Sequence, residues 1–317
     1  MTRARSGGVS TARAVVFAYH DVGVRCLKTL ISAGIEIPLV VTVKDDPHET
    51  RWFASVAATA ADYGLTATTP VDANTPELER AVAQLQPDFL FSFYYRSLLG
   101  APLLTAARRG ALNMHGSLLP KYRGRAPVNW AIVRGERETG ATLHYMVERA
   151  DAGDIVDQLA VPILADDDAR EVFNKVTVAA ETVLARSLPG LVAGSAPRRP
   201  QRIEAGQHFG RRKPEDGRID WRRSALEIHN LVRAVAPPFP GAFADIDGER
   251  WSIHRTRVEP RTTAHSPRAR LFGAQGCCYV ACCDGGLLRI LAAVRSERPV
   301  DLRALAGELQ KRPVLLS

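Results

Sequence analysis

Two polar side chains stand two residues apart in the run ALNMHGSLLPKYRG (111–124): the amide of Asn113 and the imidazole of His115. In an extended chain such neighbours point to the same face, so the two groups converge. Gly116 and Pro120 shape a tight loop just beyond them, and Arg123, Gly124 and Arg125 follow closely. Asp151 sits further on, in the turn-like stretch RADAGD. A carboxylate beside an imidazole orients it and favours its charged form, which suits a general acid or an electrostatic stabiliser. Taken singly, each residue also has an ordinary structural use. A histidine at a strand end is often simply hydrogen-bonded, and Asp beside Gly is common in exposed turns. His144, in the strand ATLHYM, reads as structural.

The elements that must hold these groups alternate short apolar runs with helix-like stretches, the pattern of parallel βαβ units. AVVFAY (14–19) reads as a buried strand, 22–33 as a helix closed by Gly34, and IPLVVTV (37–43) as a second strand. Helices are expected near 49–63, 76–85 and 98–108, with strands near 65–68 and at DFLFSFYY (88–95). GALNMHGS then carries a strand out into a polar loop, where doubly wound sheets place their sites. A helix from Ala126 to about Arg134, two strands around a turn in GATLHYMVERADAGDIVDQLAVPI, and a helix over 168–187 ending before Pro189 and Gly190 complete this part. No GxGxxG follows the first strand, which speaks against an NAD site. The expected fold is α/β: a Rossmann-like, doubly wound, mainly parallel sheet over 14–193, preceded by a disordered lead-in (1–13). A linker containing GSAPRRP (194–205) then leads to a small β-rich, OB-like domain (206–317) with one helix near 224–234.

Net charge is +8 over 317 residues, most of the excess being arginine. Its basic clusters are short, so the charge suits anionic small molecules better than a nucleic-acid groove. Four of the five cysteines fall in GCCYVACCDGG. That spacing reads as a strand with buried thiols rather than a zinc site, and no metal is expected. Charged and polar residues interrupt every apolar run before the roughly 18 residues of a spanning helix. The N-terminal residues lack a signal peptide's apolar stretch. A cytoplasmic protein without membrane insertion is the expectation.

NMHGSLLPKYRGRAP, with the later ETGATLHYMVERADAGDI, resembles the formyltransferase family that uses 10-formyltetrahydrofolate, whose marks are Asn-x-His, SLLP and a downstream Asp-x-Gly. The similarity runs from about residue 14 to near the C-terminus and includes HNLVRAVAPPFPGAF (229–243). SLLPKYRGRAPVNWAI and FGRRKPEDGRIDW look closest to the branch that formylates UDP-4-amino-4-deoxy-L-arabinose. The bifunctional members of that branch carry a dehydrogenase half that these 317 residues lack, so oxidative decarboxylation of the sugar is not expected and the choice of sugar stays open. The resemblance implies His115 as the catalytic histidine, Asn113 as the residue that stabilises the transition state, and Asp151 as the carboxylate that charges the histidine. It implies a folate co-substrate held by Ser97, Leu98, Leu99, Arg125, Val147, Glu148, Arg149, Ala150 and Asp151, with no metal or covalent intermediate. Lys121, Tyr122 and Arg123 are the residues set to meet a nucleotide-linked amino sugar.

Two other functions fit the same marks. A methionyl-tRNA formyltransferase shares them, and tRNA binding is largely electrostatic, but those enzymes more often carry Trp at the place of Tyr122 and Ala at that of Arg125. A non-catalytic folate- or nucleotide-binding protein would keep the fold, and retention of all three catalytic positions speaks against it.

Overall fold

An unbroken apolar run suits a strand covered on both faces, and Ala14, Val15, Val16, Phe17 and Ala18 are all fully buried in β1 (Arg13–Ala18). The computed structural model describes residues 12–44, 51–203 and 208–316. After β1 come α1 (His20–Ser32), β2 (Glu36–Val41), α2 (Val56–Asp62), β3 (Ala67–Thr68), α3 (Pro76–Gln84), β4 (Phe89–Phe93), α4 (Ala101–Ala106) and β5 (Gly110–His115). Next are β6 (Arg123–Gly124), α5 (Pro127–Val133), β7 (Glu138–Tyr145), β8 (Ile155–Pro162) and α6 (Ala169–Ala193). Seven strands form one sheet in the order β3-β2-β1-β4-β5-β7-β8. β1 pairs in parallel with β2 and β4, and β4 with β5, while β7 lies antiparallel to β5. The strand order reverses between β1 and β4, as in doubly wound folds whose ligands sit beyond the carboxyl ends of the strands.

Local chemistry sets most helix ends. Gly34 closes α1 at φ +73, a conformation that costs glycine little. Thr75 caps α3, accepting from the Leu78 N–H at 3.4 Å, with Pro76 as the first helical residue. Two expectations fail. The helix expected over 49–63 begins only at Val56, capped by Ser55, and residues 45–50 lie outside the described residues. The helix expected to stop before Pro189 continues through Pro189 and Gly190 to Ala193. Its buried row Leu184, Leu188 and Leu191 keeps helical spacing across the proline, and burial of that row outweighs the one backbone bond that proline removes. α6 is the described helix long and apolar enough to cross a bilayer, but half of that stretch is buried inside the protein.

Two compact units emerge. One holds the described residues of Met1–Gly124, Gly140–Val161 and Lys175–His208; the other holds those of Arg125–Thr139, Pro162–Asn174 and Phe209–Ser317. The expected lead-in falls mostly on residues 1–11, and the end of the expected linker on 204–205, both outside the described residues.

After β9 (His208–Phe209), the second unit adds α7 (Ala225–Ala234), β10 (Ala242–Ile246), β11 (Glu249–Thr262), β12 (Arg270–Ala274), β13 (Cys277–Ala281), β14 (Gly286–Arg295), β15 (Arg298–Pro299), α8 (Leu302–Lys311) and β16 (Val314–Leu315). Its antiparallel sheet runs β10-β11-β14-β13-β12-β16, with β15 on β14. Trp221, Ile228, Val232, Ile253, Leu271, Val280 and Leu288 form its core. Ser224 and Glu227 close a capping box on α7. α8 was not expected; Asp301 caps it by accepting from the N–H groups of Arg303 and Ala304 at 3.0 and 3.1 Å. The cysteine block is a strand as expected, with Cys278 and Cys282 buried as free thiols.

Candidate active site

Asn113 and His115 end β5 on one face, and the antiparallel register sets His144 across from Asn113 and Thr142 across from His115. The loop after β5 folds back through a short polar ladder. Ser117 Oγ donates to the Lys121 carbonyl at 2.6 Å, and Thr142 Oγ1 donates to the Ser117 carbonyl at 2.6 Å and accepts from the Leu119 N–H at 3.1 Å. This brings the Tyr122 carbonyl to His115, whose Nε2 donates to it at 2.8 Å. A carbonyl only accepts, so the proton on Nε2 follows from the partner.

Asp151 is the hub of the site. Its Oδ2 accepts from the Gly124 N–H at 2.9 Å. Its Oδ1 faces three groups at once: Asn113 Nδ2 at 3.5 Å, His115 Nδ1 at 3.5 Å and His144 Nε2 at 3.6 Å. The side chains of His115, His144 and Asp151 are 7%, 1% and 13% exposed, so their charges interact with little screening from water. Gln201 braces the Asp151 turn by donating to the carbonyls of Asp151 and Gly153 at 3.1 and 2.6 Å. Gly153 is needed because a Cβ there would lie 2.1 Å from the Tyr145 carbonyl oxygen. Burial alone would raise the Asp151 carboxyl; the charge of His115 and the Gly124 N–H are among the contacts that overcome it and hold the group below the usual carboxylate range. Both ring nitrogens of His115 face oxygen acceptors, an arrangement that suits a ring protonated on each. The corner can therefore offer imidazole and amide N–H groups beside one carboxylate, enough to stabilise a carbonyl oxygen that gains negative charge.

The structure brings together the trio expected from the sequence. Ser97, Leu98 and Leu99 form a loop ahead of α4, pinned by Asn74, which donates to the Leu98 carbonyl at 3.0 Å and accepts from the Gly100 N–H at 2.7 Å. Leu98 is 72% exposed and Val147 47%, two apolar side chains open to solvent in the same unit. Val147, Glu148, Arg149 and Ala150 lead into Asp151, and all but Ala150 are exposed. Lys121 is exposed, whereas Tyr122 and Arg123 are buried, and Tyr122 meets His115 through its backbone. Arg125 is exposed and belongs to the second unit, where its N–H donates to the Phe209 carbonyl at 2.9 Å.

His144 is the functional neighbour that sequence reasoning missed. Its Nε2 accepts from Asn113 Nδ2 at 3.1 Å and its Nδ1 donates to the Tyr145 carbonyl at 2.8 Å. Only the antiparallel pairing of β5 with β7 brings it there, and spacing along the chain does not reveal that pairing.

The family model described as formyl transferase matches residues 12–188, and that for the formyl transferase C-terminal domain matches 211–307. Among solved structures, WlaRD, a sugar 3N-formyl transferase determined in the presence of dTDP and 5-N-formyl-THF, is similar with a TM-score of 0.70 at 19% identity, over 91% of this chain and 99% of its own. An N-formyltransferase from Helicobacter canadensis, in complex with folinic acid and dTDP-3-aminofucose, gives 0.70 at 19% identity over 88% and 98%. HypX from Aquifex aeolicus, in complex with tetrahydrofolic acid, gives 0.62 at 18% identity over 96% of this chain and 48% of HypX. At these identities the likeness is one of fold.

Proposed function

The chain belongs to the formyl transferase family, and from that premise we propose that it moves a formyl group from 10-formyltetrahydrofolate to the amine of a nucleotide-linked amino sugar. The observation that carries the reading is the gathering of Asn113 and His115 around the Asp151 carboxylate in a buried corner at the end of β5. The two sugar formyltransferases of similar fold, determined with folate and dTDP-type ligands, support the choice of donor and acceptor classes. KYRGRAPVNW and FGRRKPEDGRIDW favour UDP-4-amino-4-deoxy-L-arabinose, the acceptor of the formyltransferase half of the bifunctional polymyxin-resistance enzyme.

The folate supplies a formyl carbon bonded to a nitrogen that can leave. The neutral acceptor amine attacks that carbon, a C–N bond forms, and negative charge builds on the formyl oxygen. Asn113 N–H and the positive ring of His115 stabilise that oxygen; loss of one such donor typically costs about 10²–10³ in kcat. The bond to the folate nitrogen then breaks. His115 gives that nitrogen a proton, and the amine's surplus proton restores the ring. Asp151 keeps His115 oriented throughout and favours the return of its proton. Leu98 and Val147, apolar and exposed, suit the flat faces of a folate, with Ser97, Leu99, Glu148, Arg149 and Ala150 as its further candidate contacts. Lys121, exposed in the same loop, is the candidate partner for the nucleotide's diphosphate, while Tyr122 and Arg123 are buried there. The five free thiols suit the reducing cytoplasm.

The test is a panel of acceptors at pH 7.5 to 8 with 10-formyltetrahydrofolate: UDP-4-amino-4-deoxy-L-arabinose, dTDP-linked amino sugars and methionyl-tRNA at matched salt. Turnover with a sugar nucleotide alone is expected. Turnover with methionyl-tRNA alone would overturn the acceptor class, and turnover with dTDP sugars only would replace the arabinose.

A further inference from the structure

His144 is a buried imidazole in the site for which formyl transfer as described above has no use. Its Nδ1 lies 2.8 Å from the Tyr145 carbonyl oxygen. A carbonyl accepts and never donates, so Nδ1 carries the proton and the neutral ring presents Nε2 as a lone pair. That nitrogen lies 3.1 Å from Asn113 Nδ2 and 3.6 Å from Asp151 Oδ1. The first is a hydrogen bond and the second is too long to be one. Asp151 and, across it, His115 face this corner, and the Arg123 guanidinium acts electrostatically on Asp151. With its proton on Nδ1, His144 is the acceptor in the pair with Asn113.

An acceptor at that point admits a single orientation of the Asn113 amide. With Nδ2 toward His144, one N–H is held by the ring, and the other, held only by the long 3.5 Å contact to Asp151 Oδ1, is the one a formyl oxygen can draw away. Turned over, Asn113 would set its carbonyl oxygen against the Nε2 lone pair. We propose that His144 is a positioning residue that fixes the Asn113 amide through Nε2, so that an N–H rather than a carbonyl oxygen meets the formyl oxygen of the substrate. The step it serves rests on the formyl-transfer reading, while the amide orientation itself is measurable without turnover.

Two substitutions separate this role from a structural one. His144→Asn keeps a donor able to reach the Tyr145 carbonyl but has no atom at the Nε2 position; His144→Gln sets an amide oxygen near that position. If His144 acts through Nε2, the Asn variant loses about 10²-fold in kcat, the scale of a lost oxyanion donor, with KM for both substrates held within about twofold, and the Gln variant recovers most of it. If it only fills the core and holds Tyr145, the order reverses, or both variants fall in step with their melting temperatures; either result overturns the proposal. In an Asn113→Ala background, His144→Asn should cost nothing further, and a second full loss would overturn it. The Asn113 side-chain amide resonances of the free protein give a readout independent of activity: they should move in His144→Asn and stay in His144→Gln. Unmoved resonances in both variants would overturn the orientation even if transfer is confirmed. Moved resonances in a protein that transfers no formyl group to any amino sugar would leave the orientation standing and remove the functional reading instead.

Discussion

The corner around Asp151 and the polar cluster of the second unit are built from the same residue types and do opposite things. In the second unit, His229 Nε2 donates to the Ala165 carbonyl at 2.9 Å and Nδ1 accepts from Thr256 Oγ1 at 3.0 Å. Arg233 donates to Asn230 Oδ1 at 3.0 and 2.8 Å and to the Asp167 carbonyl at 2.9 Å. Those contacts are short and largely aimed at fixed backbone, and burial keeps His229 neutral. Around Asp151 Oδ1, three groups crowd one oxygen at 3.5 to 3.6 Å. A saturated network ties elements together. A crowded, loosely made one keeps charge and N–H capacity for a reacting group.

The largest effects should come from the crowded corner. Asp151→Asn removes the charge that balances His115 and should lower kcat by about 10³-fold, within the span of acid–base catalysis, with the fold intact by circular dichroism; near-normal turnover would empty the corner of its meaning. Asn113→Ala should cost about 10²-fold in kcat with little change in KM, measured under saturating substrates.

The saturated network should answer in stability instead. His229→Leu leaves the Thr256 hydroxyl and the Ala165 carbonyl without that partner and should cost about 1–3 kcal/mol in denaturant unfolding, with kcat of the folded protein unchanged. A loss of turnover at unchanged stability would erase the contrast between the two regions.

The smallest effect is a pH dependence that sits outside both. His20, stacked on Phe53, is held down to about 3 by burial and by the charge of Arg96. A histidine with a depressed folded value contributes stability above its unfolded value and loses it as pH falls, because the unfolded chain takes up the proton first. Stability should therefore decline below pH about 6.5, by about 1.4 kcal/mol at pH 5.5 from this group. His20→Gln should flatten that part of the melting-temperature profile.

Much of the first unit could be read from the chain, because strands buried on both faces leave unbroken apolar runs and Asn113 and His115 share a face by simple alternation. The Asp151 turn was legible for the same local reasons. What escaped depended on partners far apart in sequence. His144 joins the site only through the register of β5 on β7. α6 outruns Pro189 because its buried row continues, a fact of packing rather than of local signals. α8 went unseen because Gly307 and several charged residues dilute its apolar face, although Asp301 marked its start. Arg123, expected to meet the sugar nucleotide, is buried, because the Ser117–Thr142 ladder draws its loop inward.

The most direct measurement is mass analysis of the acceptor after incubation with 10-formyltetrahydrofolate, comparing the native chain with Asp151→Asn. The native chain should convert an amino sugar nucleotide to its formamide, and the variant should leave it almost untouched over the same interval. Equal conversion by both, or no formamide from any amino sugar nucleotide, would contradict a formyl transfer centred on Asp151.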